Sequence, residues 1–234
     1  MADNVFITGV SSGLGRGLTE QYLERNWTVY GLSRRGAGFE HERLHETKAD
    51  LADLDAIPGV LDRLIGDARI DLAILNAGLL GEFKPMPEIG LGELRRAMDV
   101  NVWANKVILD WFAAHHAPRQ AVLISSGAAV TGHEGWGGYA LSKAALNMLA
   151  QLYAHDLPDT HVAAFAPGLI HTAMQDHIYE DVDERRFPSV KRLKEARNTP
   201  AMPEPAEAAR MMADAIEQLP ERIDSGQFTD IRQF

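Results

Sequence analysis

Short apolar runs rich in branched residues alternate with longer stretches of helical periodicity along the whole chain. The runs Asn4–Thr8, Thr28–Ser33, Ile70–Asn76, Ala121–Ser125 and His161–Ala166 predict strands, with Leu44–Lys48 a weaker one and Gln227–Ile231 a short last one. Apolar positions spaced by three and four predict helices over Leu14–Arg25, Leu54–Ile65, Leu91–His115, Tyr139–His155 and Ala206–Gln218. Val5-Phe6-Ile7 and Val122-Leu123-Ile124 are apolar at every position, as in strands covered on both faces. Together these patterns predict an α/β fold: a doubly wound parallel sheet of about seven strands, helices on both faces, one domain over residues 1–234. Such a sheet opens a crevice at the carboxyl ends of its strands, and the motifs described below fall at such ends.

The stretch from Ala173 to Pro205 breaks this rhythm. It is charge-dense over Glu180–Arg186 and Lys191–Arg197 and then carries Pro200, Pro203 and Pro205. Long insertions in compact domains are often functional, so a flap over the crevice with short helices is expected; a solvated surface excursion is the other reading.

Composition narrows the classes of function. The 234 residues are 46% hydrophobic and 24% charged, enough to bury a substantial core. A formal net charge of −10 argues against a general binder of nucleic acid or anionic membranes, both of which need a positive field. It still allows an anionic cofactor held by backbone amides and a few arginines. There is no cysteine, hence no disulfide framework or thiol chemistry. No apolar run approaches the ~18 residues of a membrane span. The N-terminus enters a strand pattern at once, unlike a signal peptide, so a cytoplasmic protein is expected. The nine histidines show no metal-ligand spacing such as HExxH, and no metal is expected.

Three constellations carry chemistry. Thr8-Gly9-Val10-Ser11-Ser12-Gly13-Leu14-Gly15 follows the first strand and opens the first helix. Small residues let the backbone approach a pyrophosphate, and the helix start supplies free N–H groups. The second strand ends in Ser33-Arg34-Arg35, where dinucleotide folds often place a carboxylate on the adenosine ribose. Guanidinium groups would bind a 2′-phosphate instead, so NADP(H) is expected over NAD(H). Finally, Tyr139 and Lys143 lie one helical turn apart, thirteen residues after Ser126. A phenol titrates near pH 10; an ammonium beside it favours the phenolate, and a serine hydroxyl can bind a substrate oxygen.

With these residues in place, the chain resembles a short-chain dehydrogenase/reductase of the TGxxxGxG and YxxxK type over nearly its whole length. In the loop, the resemblance puts Gly9, Ser11, Ser12, Gly13, Leu14 and Gly15 against the cofactor. It assigns Asp50 and Leu51 to the adenine ring and Asn76, Ala77 and Gly78 to the family's NAG element. Pro167, Gly168, Ile170 and Thr172 form a PGxxxT element that holds the nicotinamide carboxamide. It implies catalysis by Asn101, Ser126, Tyr139 and Lys143, with Asn101 in a water-linked proton relay and Lys143 also on the nicotinamide ribose. For Asn76, Asn101 and Thr172 the residues alone leave a second reading: a turn, a bridge to strand backbone and a helix N-cap.

The resemblance implies an NADPH-dependent oxidoreductase that reversibly reduces a small-molecule ketone or aldehyde to an alcohol, with tyrosine as proton donor. Pro167–Gln175 is similar to sepiapterin- and benzil-reductase-like members, and Trp136, Met174 and Tyr179 are candidates for an aromatic-friendly pocket. Relatives pair the helices equivalent to Leu91–His115 and Tyr139–His155 into homodimers and homotetramers. The alternative is a non-catalytic NADP-binding regulator on the same fold. An extended epimerase or dehydratase fits less well, because this chain has three residues between its first two motif glycines and ends at Phe234.

Overall fold

The computed structural model describes residues 3–234, apart from the side chains of His177 and Asp181. Seven strands form it: β1 Asn4–Thr8, β2 Thr28–Ser33, β3 Leu44–Lys48, β4 Leu72–Leu75, β5 Gln120–Ile124, β6 His161–Ala166 and β7 Phe228–Asp230. All pair in parallel in the order β3-β2-β1-β4-β5-β6-β7. Strand order therefore reverses between β1 and β4, which is where a doubly wound sheet opens its binding crevice.

The helices are α1 Gly13–Glu24, α2 Ile57–Ile65, α3 Leu91–Met98, α4 Ala104–Ala114, α5 Gly137–Asp156, α6 Ala173–Asp181, α7 Pro188–Ala196 and α8 Pro205–Arg222. Alternating strand residues feed two cores, as the two-residue period of a strand requires. Phe6, Ala73, Leu75 and Leu123 pack with α2, α4 and α5 on one face. Val5, Ile7, Ile74 and Val122 pack with α1 and α8 on the other. This is the doubly wound arrangement expected from the strand runs.

Three segments depart from the sequence pattern. The predicted helix Leu91–His115 is two α-helices joined by a π-helical turn, Asp99–Trp103. The 54–65 helix begins with a 3₁₀ turn, Leu54–Ala56, before α2. Residues 173–205 are not a solvated excursion: α6 and α7 bury Ile178, Val182, Phe187, Val190 and Leu193 in an apolar cluster of their own.

Candidate active site

The carboxyl ends of the strands open into one cleft. Gly9, Ser11, Ser12, Gly13, Leu14, Gly15, Ser33, Arg34, Arg35, Asp50 and Leu51 line it from the first three strands and their loops. Asn76, Ala77, Gly78, Pro167, Gly168, Ile170 and Thr172 line it from β4 and β6, and Ser126, Tyr139 and Lys143 from β5 and α5. Of the catalytic and cofactor-binding residues named from sequence, Asn101 alone stands behind the wall, fully buried.

The first loop is built for close approach. A Cβ on Gly15 would lie 2.3 Å from Gly9 O and 2.4 Å from Asn76 Nδ2, so α1 starts hard against the end of β1. Ser12, the N-cap of α1, makes no side-chain cap bond, which leaves the first-turn N–H groups unclaimed at the positive end of the helix. Asn76 serves the scaffold: its Nδ2 donates to Thr8 O at 2.9 Å, while Thr8 Oγ1 accepts from Asn76 N (2.9 Å) and Ala77 N (3.0 Å). These bonds clamp the ends of β1 and β4 at the reversal point.

At the end of β2, Arg35 reaches back to the first loop, its guanidinium 3.4 Å from Ser12 Oγ. Ser33 Oγ accepts from Gly36 N at 3.0 Å, and Glu46 Oε2 accepts from Ala37 N at 2.6 Å. The nearby carboxylate thus faces the turn backbone and is not among the residues that line the cleft. Glycines without room for side chains, unclaimed amides and two guanidiniums fit a dinucleotide with an anionic adenosine end.

Ser126 follows β5, and its Oγ accepts from Ala128 N at 3.1 Å. The Ser126 side chain also lies close enough to the Tyr139 phenol to favour its charged form. Lys143 Nζ lies 5.7 Å from the centroid of the Tyr139 ring and donates to Ile124 O at 2.6 Å. One sequence expectation is reversed here. Burial pushes the Tyr139 phenol above its usual range, and Ser126 opposes that only in part. The ammonium is spent on a backbone carbonyl rather than on the phenol oxygen, which explains why the phenol is not lowered.

Burial also draws Lys143 down to about 8. The unfolded amine titrates near 10.4, so between these values the unfolded chain binds the extra proton and stability rises with pH. Below pH 8 both states are protonated and the cost of burying the ammonium is felt in full. Against a Lys143→Met variant, the wild type should therefore gain up to roughly 3 kcal/mol of stability between pH 8 and 10.5, read by denaturant unfolding at each pH. Parallel curves for the two proteins would contradict this.

Asn101 sits in the π-helical turn. Its Oδ1 accepts from Leu79 N (2.7 Å), and its Nδ2 donates to Leu79 O (2.9 Å) and Ser142 Oγ (2.8 Å). Ser142 in turn donates to Tyr139 O at 2.8 Å. Asn101 therefore bridges backbone, that of the loop after β4 rather than of a strand, and connects the loop to the helix carrying Tyr139 and Lys143. A Cβ on Gly78 would lie 3.3 Å from Asn101 Oδ1 and 3.5 Å from Lys143 Nζ, so glycine keeps the space between them open.

Residues 173–205 pack on the cleft rim. Trp136 Nε1 donates to Ser189 Oγ at 2.9 Å, Phe83 lies edge-on to Trp136 and Phe187, and Arg186 pairs with Glu88 at 2.7 Å. His171 bonds Glu204 at 2.7 Å, and that carboxylate holds the imidazole above its usual range. Trp136 and Met174 line the cleft, but Tyr179 does not. The Tyr179 hydroxyl donates to Met202 Sδ at 2.8 Å, and Arg197 covers the ring, so this tyrosine holds the segment together. Thr172 occupies the N-cap position of α6, as its second reading had it, but makes no side-chain cap bond and also lines the cleft.

Sequence reasoning missed several wall residues: Leu79, Leu80, Arg96, Val100, Leu169 and Ile178. It also missed Ser142, which belongs to no motif and is fully buried between Asn101 and Tyr139. Among the described residues, no three His, Asp or Glu side chains are grouped to hold a metal ion.

Comparison with known proteins agrees with this geometry. The family model described as short chain dehydrogenase matches residues 3–183. Benzil reductase ((S)-benzoin forming) of Bacillus subtilis is 28% identical, over 97% of this chain and 98% of its own. The enzyme of the same description from Bacillus cereus is 30% identical over 77% and 80%. A crystal structure of a short chain dehydrogenase/reductase from Saccharomyces cerevisiae superposes with a TM-score of 0.85 at 23% identity, covering 98% of this chain and 96% of that one.

Proposed function

The chain belongs to the short chain dehydrogenase family, and from that footing we propose that it is an NADPH-dependent reductase of small-molecule ketones or aldehydes, acting reversibly. The observation that carries this reading is the convergence of Ser126, Tyr139 and Lys143 on the cleft that the glycine loop and Arg34-Arg35 also line. NADPH, when bound, supplies the hydride. The unclaimed α1 amides and Ser12 would hold the pyrophosphate, Arg34 and Arg35 the 2′-phosphate, Asp50 and Leu51 the adenine end, and Thr172 the carboxamide.

The protein's own residues manage charge and protons. Ser126 donates a hydrogen bond to the substrate oxygen as negative charge builds there. Tyr139 gives that oxygen its proton; burial makes the phenol a weaker acid, but it is protonated at pH 7 and remains far more acidic than the alcohol it forms. Lys143 holds the ribose and returns a proton to Tyr139, while Asn101 acts as a positioning residue that keeps Leu79 and Ser142 in place for the relay. Residues 173–205 serve as the substrate flap of a single domain spanning 1–234. The work is done in the cytoplasm, without nucleic acid, membrane or metal.

Two solution experiments test this. Absorbance at the NADPH band, followed with a panel of aryl ketones, 1,2-diketones and aldehydes, should fall with at least one class. A flat trace across the panel alongside intact NADPH binding would favour a non-catalytic NADP-binding protein. We also place a homodimer or homotetramer on α4 and α5. Leu141, Met148 and Leu152 of α5 and the neighbouring Trp103 are apolar and between 43% and 54% exposed. Light scattering that reads a monomer at micromolar concentration would remove that assembly.

A further inference from the structure

Gln175 stands on the first turn of α6 and lines the cleft beside Thr172, Ala173 and Met174. Its N–H donates to Thr172 O at 2.8 Å, which roots the residue at the inner edge of the flap. The side-chain oxygen Oε1 is shut off from solvent, with no hydrogen-bond partner among the described residues. Buried acceptors in folded proteins are nearly always paired, with protein, water or ligand. Gln175 lines the cleft and the terminal amide torsion of glutamine is soft, so a turn of the amide presents this unpaired acceptor to a donor in the cleft. Around it, the described side chains of α6 that line the wall are Ala173, Met174 and Ile178, and Leu80, Trp136 and Leu169 add further apolar surface. A ligand seated here meets a largely apolar, aromatic-friendly wall broken by one amide oxygen.

We propose that Gln175 determines substrate specificity: its Oε1 accepts a hydrogen bond from a hydroxyl or N–H next to the reacting carbonyl. The cleft then selects hydroxy- or amino-substituted carbonyl compounds over plain ones. This rests on the carbonyl-reductase reading above. A site built around a polar atom discriminates strongly against an isostere that leaves the atom unpaired.

The matched probes are 2-hydroxyacetophenone and propiophenone, in which a methyl replaces the hydroxyl. Each is titrated against the enzyme–NADP⁺ complex by tryptophan fluorescence, so binding is read without turnover. The wild type should bind the hydroxy ketone about tenfold more tightly. Gln175→Met should erase that preference, Gln175→Glu (which keeps an acceptor) should retain it, and NADP⁺ affinity should be the same in all three proteins. Equal binding of the two ketones by the wild type overturns the proposal, and so does a preference that survives in Gln175→Met. A loss in Gln175→Met that falls on NADP⁺ affinity instead would assign Oε1 to the nicotinamide carboxamide and equally reject it. Failure of the reductase reading appears separately, as no NADPH oxidation with either ketone whatever their affinities.

Discussion

Tyr139→Phe should lower turnover of a carbonyl substrate by a factor of about 10²–10⁴ while leaving NADPH affinity within about threefold. Among the cleft-lining side chains near Ser126, the phenol hydroxyl is the group suited both to meet a substrate oxygen and to release a proton to it. Ser126 stands beside it in the cleft and remains a donor in the variant, but a serine hydroxyl is far too weak an acid to replace it. Lys143 is directed at Ile124 O and cannot substitute without moving. Phenylalanine keeps the ring that packs beside Trp136, whose centroid is 6.0 Å away, so the fold has no reason to change. Stopped-flow single turnovers, with NADPH binding measured in parallel, separate the chemical step from cofactor affinity. Near-normal turnover in Tyr139→Phe would exclude the phenol as the acid. Because burial raises the phenol, it stays protonated throughout the neutral range, and acidification should not slow reduction through this group.

The second large effect concerns the cofactor. Replacing Arg34 and Arg35 together with alanine should raise the KM for NADPH about a hundredfold and change that for NADH by no more than about threefold. Both guanidiniums line the cleft, and Arg35 already spans the gap between the end of β2 and the phosphate loop at Ser12. A phosphate held there would draw on both sides of that gap, whereas a plain ribose would not. Adding Ser33→Asp should complete the inversion. The new carboxylate can still accept from Gly36 N, as Ser33 Oγ does, and it repels a 2′-phosphate while offering ribose hydroxyls a partner. Steady-state KM values for the two dinucleotides, taken on one preparation, decide it; an unchanged ratio would mean these residues do not read the phosphate.

How far the sequence could be read follows from what kind of signal each feature leaves. β1, β2, β3 and β6 matched their predicted runs residue for residue, and because β3 is largely exposed, burial on both faces is not the whole reason. β4 was read two residues too early and one too late: Ile70 is buried before the strand starts, and Asn76 is held by Thr8 rather than by the ladder. The glycine loop, the arginine pair and the Tyr139–Lys143 pair could be located because local spacing places each of them, whereas Ser126 joins that pair at the cleft through the fold. The direction of the phenol's shift was not legible, since it depends on burial and on a carbonyl from β5 that no spacing predicts. The π-helical turn was equally invisible: Met98, Val100 and Val102 look like any apolar helix face, and the extra residue shows only once the backbone bonds are drawn. Tyr179 was assigned to the pocket by proximity in sequence, whereas its partner Met202 lies twenty-three residues on, across two helices. Gln175 ends the segment Pro167–Gln175, but only the folded flap reveals that its oxygen is unpaired among the described residues.

The π-helical turn at Asp99–Trp103 has one more consequence. One surplus residue per turn rotates everything before it by about 100° relative to a regular helix. The cleft-facing Arg96 and the sheet-facing Ile108 and Phe112 therefore obey two different phases along what is nearly one rod. Deleting a single residue within the turn would leave a longer, regular helix, yet it would swing Arg96 off the wall and unseat Asn101 from Leu79. The catalytic edge and the structural half of this rod are tuned apart, and the turn is their phase joint.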